Sequence, residues 1–160
     1  AYRSVCFLNR EPSNITFDIT FHNGYENAPP ERQIAMRKKQ QEEWLSIRKQ
    51  MTDDPEQCMK LLLDWREMNY TDLGDAIDRV PKTISRTVKG STSPDIKTAV
   101  RICLGLHLPP TISEKLLEVL GCYLKPTDQN HQWMKEALTL KYPEPFDCAK
   151  EYIEAFGVEI

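Results

Sequence analysis

The stretch Met68 to Gly90 (MNYTDLGDAIDRVPKTISRTVKG) constrains the fold most, because it holds two apolar stripes of helical period with almost no chain between them. Leu73 and Ile77 stand four apart on one face of a helix over Tyr70–Asp78. Asn69 supplies its cap, since its side-chain oxygen accepts from the free amides of the first turn. A second helix starts at Pro81, whose missing N–H is no loss at a first helical position. Its stripe is Ile84 and Val88, and Gly90 gives it a left-handed exit. Gly74 falls where the two helices cross, and a residue without Cβ lets backbones approach closely. The result is a helix-turn-helix.

The outward face of the second helix carries Lys82, Ser85, Arg86 and Lys89, donors of the kind that reach phosphates and base edges in a major groove. Leu73-Gly74, Thr83-Ile84-Ser85-Arg86, Lys89-Gly90 and Ser93-Pro94-Asp95-Ile96 follow one another in a familiar order and spacing. In them the chain resembles the phage-repressor (XRE-like) helix-turn-helix DNA-binding family, over Asp54 to Leu108, roughly a third of its length. The resemblance implies a five-helix core whose recognition helix is 81–89. It implies that Lys82 and Arg86 face bases with Pro81 and Ser85 beside them. It implies too that Tyr70 binds a phosphate, while Thr83 and Lys89 lie against the backbone. The chain departs from the family at the turn, with Asp78 at the usual Gly and Arg79-Val80 at the usual apolar-then-Ser pair. The recognition helix therefore lacks a Ser or Thr cap. Asp78 tolerates a left-handed conformation, so the turn survives.

Around this centre the chain reads as mainly α. Asn14 to His22 alternates Ile15, Phe17, Ile19 and Phe21 with polar residues, the pattern of a half-buried strand, and with Val5–Leu8 it suggests an N-terminal β-hairpin. Because the chain opens on Ala1 rather than Met, residues 1–30 are read as an appendage or as the end of a larger upstream domain. Residues 31–52 form a charged connecting helix with Ile34, Trp44, Leu45, Ile47 and Met51 as sparse apolar positions. Asp54-Pro55-Glu56 opens the first helix of a domain over 53–110, and Ser93-Pro94 opens its fourth, with Ile96, Ala99, Val100 and Cys103 facing inward. Helices of 111–160 pack on that domain. Thr111-Ile112-Ser113-Glu114 reads as a capping box, Trp133, Met134, Ala137 and Leu138 mark the next helix, and Phe146, Ala149, Ile153 and Phe156 the last.

Composition narrows the function. The chain has 160 residues, 40% hydrophobic and 28% charged, which is globular. Its net charge of −3 argues against indiscriminate nucleic-acid binding. From Asn69 to Pro110, however, bases (Arg79, Lys82, Arg86, Lys89, Lys97, Arg101) outnumber acids (Asp72, Asp75, Asp78, Asp95). Cys6, Cys58, Cys103, Cys122 and Cys148 are scattered without a CxxC, which fits a reduced, cytoplasmic compartment. No apolar run is long enough for a membrane span. His22, His107 and His131 stand far apart, outside any metal-ligand spacing, and no GxSxG, P-loop or GxGxxG occurs. The reading is a non-enzymatic, cofactor-free DNA-binding regulator acting on double-stranded DNA, dimeric if it reads paired half-sites. The alternatives are a protein-interaction module built on the same bundle, and the C-terminal DNA-binding part of a larger protein. Operator and small-molecule effector stay open.

Overall fold

Helix starts are set by proline and by short polar caps. The computed structural model describes residues 27–90 and 95–160, and within them eight helices and no strand occur. They are α1 (Pro30–Gln50), α2 (Pro55–Trp65), α3 (Tyr70–Ile77), α4 (Pro81–Lys89), α5 (Ile96–Gly105), α6 (Pro110–Val119), α7 (Gln129–Leu140) and α8 (Phe146–Glu154). The expected β-hairpin and Ser93-Pro94 lie outside the described residues.

Asp54 caps α2 by accepting from the Glu56 amide, with Pro55 at the first position. Asn69 caps α3 as part of a full capping box: its side chain accepts from the Asp72 amide while Asp72 accepts from the Asn69 amide. Asp95 caps α5 and also receives the Thr98 hydroxyl. One expected cap is not made. The helix begins at Pro110 behind Pro109, so Thr111 lies inside its first turn and Ser113 donates to the Pro110 carbonyl instead. Proline at the first position needs no amide partner, which moves the start one residue ahead of the Thr-x-x-Glu box.

The eight helices share one apolar core. Its centre is α5, which packs against α3, α4, α6, α7 and α8. Thr98 to Gly105 is therefore a continuous buried run, wider than the stripe of Ala99, Val100 and Cys103 expected from periodicity. Ile96 is only partly buried. The charged helix α1 is anchored by its second half: Ile47 and Met51 are buried, and Trp44 meets the Tyr142 ring edge-on. Ile34 and Leu45 face out, at 57% and 54% exposure, and so do not join the core. At the far end Phe156 is also partly exposed and lies flat on Trp133, ring centroids 3.9 Å apart. Cys58, Cys103 and Cys122 are buried free thiols, and Cys148 is disulfide-bonded. Burial pushes the Cys103 thiol far up, so it behaves as a small hydrophobe. None of the described helices is long and apolar enough to cross a membrane.

Gly74 has a steric reason. A Cβ at this position would lie 2.5 Å from the Arg79 carbonyl oxygen and 3.4 Å from the Pro81 ring. Gly74→Ala should destabilise the fold by about 1–3 kcal/mol through overpacking, more than the roughly 1 kcal/mol that alanine adds by helix propensity. Urea unfolding checks this, and a midpoint unchanged or raised would show that the turn can move aside.

Candidate nucleic-acid interface

Between α3 and α4 the chain reverses in three residues. The Ile77 carbonyl ends one helix, Asp78 adopts the left-handed conformation (φ 53°, ψ 52°), and the Arg79 amide donates back to the Gly74 carbonyl. A carboxamide or carboxylate side chain tolerates this region better than a branched one. Val80 precedes α4 with no side-chain cap, as the missing Ser or Thr led us to expect, and Gly90 leaves it at φ 65°.

The α4 helix divides cleanly into two faces. Ile84, Thr87 and Val88 are buried, and Thr87 also satisfies its hydroxyl on the Thr83 carbonyl. Lys82, Arg86 and Lys89 are exposed and fall on one side at helical spacing, with Ser85 half-buried between them. Pro81 is exposed at the first helical position. Thr83 is half-buried at the border of the faces. Six of the seven residues singled out in the sequence therefore share this short helix.

The seventh, Tyr70, belongs to another environment. It occupies the first position of α3, is half-buried, and packs against the core. Burial raises its phenol above the ordinary value, and the Glu56 carboxylate adds to this. The Glu56 carboxylate thus acts on the phenol, whereas the outward side of α4 carries no acid. A phosphate approaching Tyr70 thus meets a hydroxyl donor flanked by negative charge.

Two arginines of this region were not distinguished by sequence reasoning. Arg79, in the turn, donates Nη1 to the Asp78 carbonyl and Nη2 to the main-chain oxygen of Ile160 (3.0 and 2.8 Å). Arg101, on α5, is buried at 5% exposure; it donates Nε to the same Ile160 oxygen (2.7 Å) and Nη1 to the Ile77 carbonyl. Its guanidinium also lies 5.4 Å from the centre of the Phe146 ring. No sequence signal separates these two from the surface bases, since their partners are remote in the chain. Arg66 plays a similar part elsewhere, donating Nε to Leu106 O and Nη2 to His107 O. His107 is left-handed (φ 52°), buried, and held by Nδ1 against the Tyr142 carbonyl (2.9 Å), a helix-end role.

No protein-family model, no curated protein and no solved structure matches this chain.

The Tyr70 environment has a pH consequence. Because the folded protein holds the phenolic proton more tightly than the unfolded chain does, this group's contribution to stability is intact below the ordinary tyrosine value, about 10, and is lost as pH rises through the folded value. The phenolate absorbance missing from Tyr70→Phe should titrate above that ordinary value, and Glu56→Gln should bring it part of the way down. A component titrating at or below the ordinary value would contradict the burial.

Proposed function

We propose that the protein reads double-stranded DNA through α4. The observation that carries this is the division of that helix, in which Lys82, Ser85, Arg86 and Lys89 form its outward side while Ile84, Thr87 and Val88 seat it on the core. A major groove is about 12 Å wide and admits one α-helix. Lysine and arginine donate to guanine N7 and O6, and serine accepts or donates at either base class. In this reading Lys82 and Arg86 face bases, with Pro81 and Ser85 beside them. Thr83 and Lys89 hold the backbone, and Tyr70 offers a neutral hydroxyl to a phosphate. The turn set by Gly74 and Asp78 supports an approach like that of the repressor-like helix-turn-helix core that the sequence resembles. The most economical role is a transcriptional regulator, with no catalytic chemistry of its own.

The same proposal includes a homodimer, because two half-sites one helical turn apart, about 34–36 Å, call for two copies. It also includes the cytoplasm. Three buried free thiols fit a reducing compartment, and the disulfide at Cys148 is the observation that weighs against that part.

The test is a fluorescence-anisotropy titration on selected and random duplexes across a range of salt. Arg86→Ala should weaken the preferred site by about 1–3 kcal/mol and relax preference at one base position. Tyr70→Phe removes no charge, so it should weaken all duplexes alike by about 0.5–1.5 kcal/mol and leave the salt dependence nearly unchanged. Equal losses on every sequence for Arg86→Ala and Lys82→Ala would refute base reading by α4. An absence of binding to any duplex at low salt would refute DNA binding and favour the protein-interaction reading.

A further inference from the structure

After α8 the chain turns back on itself. Gly157 takes φ 82°, and the next residues fold onto the bundle so that Val158 and Ile160 are buried, at 3% and 5% exposure. Neither is needed to complete α8, which ends at Glu154. What the returning segment brings to the core is an acceptor. The main-chain oxygen of Ile160 receives both Arg79 Nη2 at 2.8 Å and Arg101 Nε at 2.7 Å. Arg79 sits in the α3–α4 turn. Arg101 reaches the other end of that turn through the Ile77 carbonyl, the last main-chain acceptor of α3. One oxygen thus gathers two guanidinium groups that grip the turn from both sides.

We propose that residues 157–160 are a positioning strap for α4, and that Arg79 and Arg101 are positioning residues acting through it. The physical case rests on unpaired charge. A buried guanidinium with an unmet donor is costly, so removal of the Ile160 oxygen would leave Arg101 Nε seeking another acceptor. Turning toward another acceptor, the nearby acids included, would shift its grip on Ile77, and with it the residue that precedes left-handed Asp78. Arg79 would be released at the same moment. Because α4 follows the turn after only Val80, a change at residues 77–79 passes directly into its direction. The acids around the cluster are Asp78, Asp95 and Glu154; Glu154 also lies 3.5 Å from Lys150, and the Phe146 ring completes the site. The proposal's effect on DNA rests on the reading that α4 binds DNA, whereas its effect on the turn does not.

Two variants of the full chain test it without touching the core. Gly157→Ala adds a methyl group that meets no atom within 4 Å but forces a strained left-handed residue, so it opposes the return of the strap alone. Arg79→Ala removes one of the two grips. Amide hydrogen exchange reads the turn directly, because the Arg79, Thr83 and Ile84 amides donate to the Gly74 and Val80 carbonyls. In both variants these amides should exchange roughly tenfold faster, while α2 amides change by less than about threefold. No change at the turn, or the same acceleration throughout the bundle, would overturn the strap.

On DNA, both variants should lower the ratio of preferred to random affinity and leave the salt slope as it was. If instead Arg79→Ala reduced the slope by about 0.9 while Gly157→Ala did nothing, Arg79 would be a direct phosphate contact and the positioning role would be wrong. Should the unaltered protein bind no duplex, the DNA reading fails, and hydrogen exchange still decides the strap.

Discussion

A charge buried on the central helix of the bundle sets the terms for the rest. Arg101 lies on α5, the helix surrounded by five others, at a place where an unpaired guanidinium would not be tolerated. Its Nε and Nη1 donate to the main-chain oxygens of Ile160 and Ile77, and the Phe146 ring lies beside it. These partners come from the end of α3, the segment after α8, and α8 itself. Two of them are main-chain oxygens whose positions depend on how their own helices or turns end. Burial and the neighbouring Arg79 lower the Arg101 pKa, and Asp78, Glu154 and Asp95 oppose this, so nearby acids offset the repulsion between the two guanidinium groups.

From that arrangement the character of α4 follows. With one side committed to α2, α3 and α5, only the opposite side is available for long charged side chains. The turn before it is short because Gly74 allows the Arg79 carbonyl to come close and Asp78 accepts a left-handed backbone. A nine-residue helix has little stability of its own, so its direction is dictated by the core contacts of Ile84 and Val88 and by the turn. On a helix held in this way, the binding proposed for its basic face would have little order left to impose.

Much of this was legible in local chemistry. Asp54, Asn69, Pro55, Pro81 and Gly90 act within a few residues of themselves, and their roles as caps, starts and exits are the ones their side chains dictate. The polar side of α4 was equally plain from spacing. What was hidden depends on distant partners. Arg79 and Arg101 read as two more surface bases, because the oxygen they share lies 81 and 59 residues away. The unbroken burial of α5 from Thr98 to Gly105 was hidden for the same reason, since its second face is covered by α7 and α8 from the far end of the chain. Leu45 and Ile34, sparse apolar positions on a charged helix, stay outside the core, while Ile47 from the same set joins it. At α6 two local signals competed, and Pro110 prevailed over Thr111 as the helix start.

Arg101 joins the end of α3 to the segment after α8 through the Ile77 and Ile160 oxygens, so the α3–α4 pair and α8 should unfold as one cooperative unit. Residue-resolved urea unfolding followed by NMR tests it most directly, with Ile84 and Val88 reporting on α4 and Ile153 on α8. All three should lose their native signals at one midpoint with one slope. If Ile153 melted at a lower urea concentration while Ile84 and Val88 kept their folded signals, the C-terminal helices would be an independent layer. Arg101 would then not couple α8 to the α3–α4 pair.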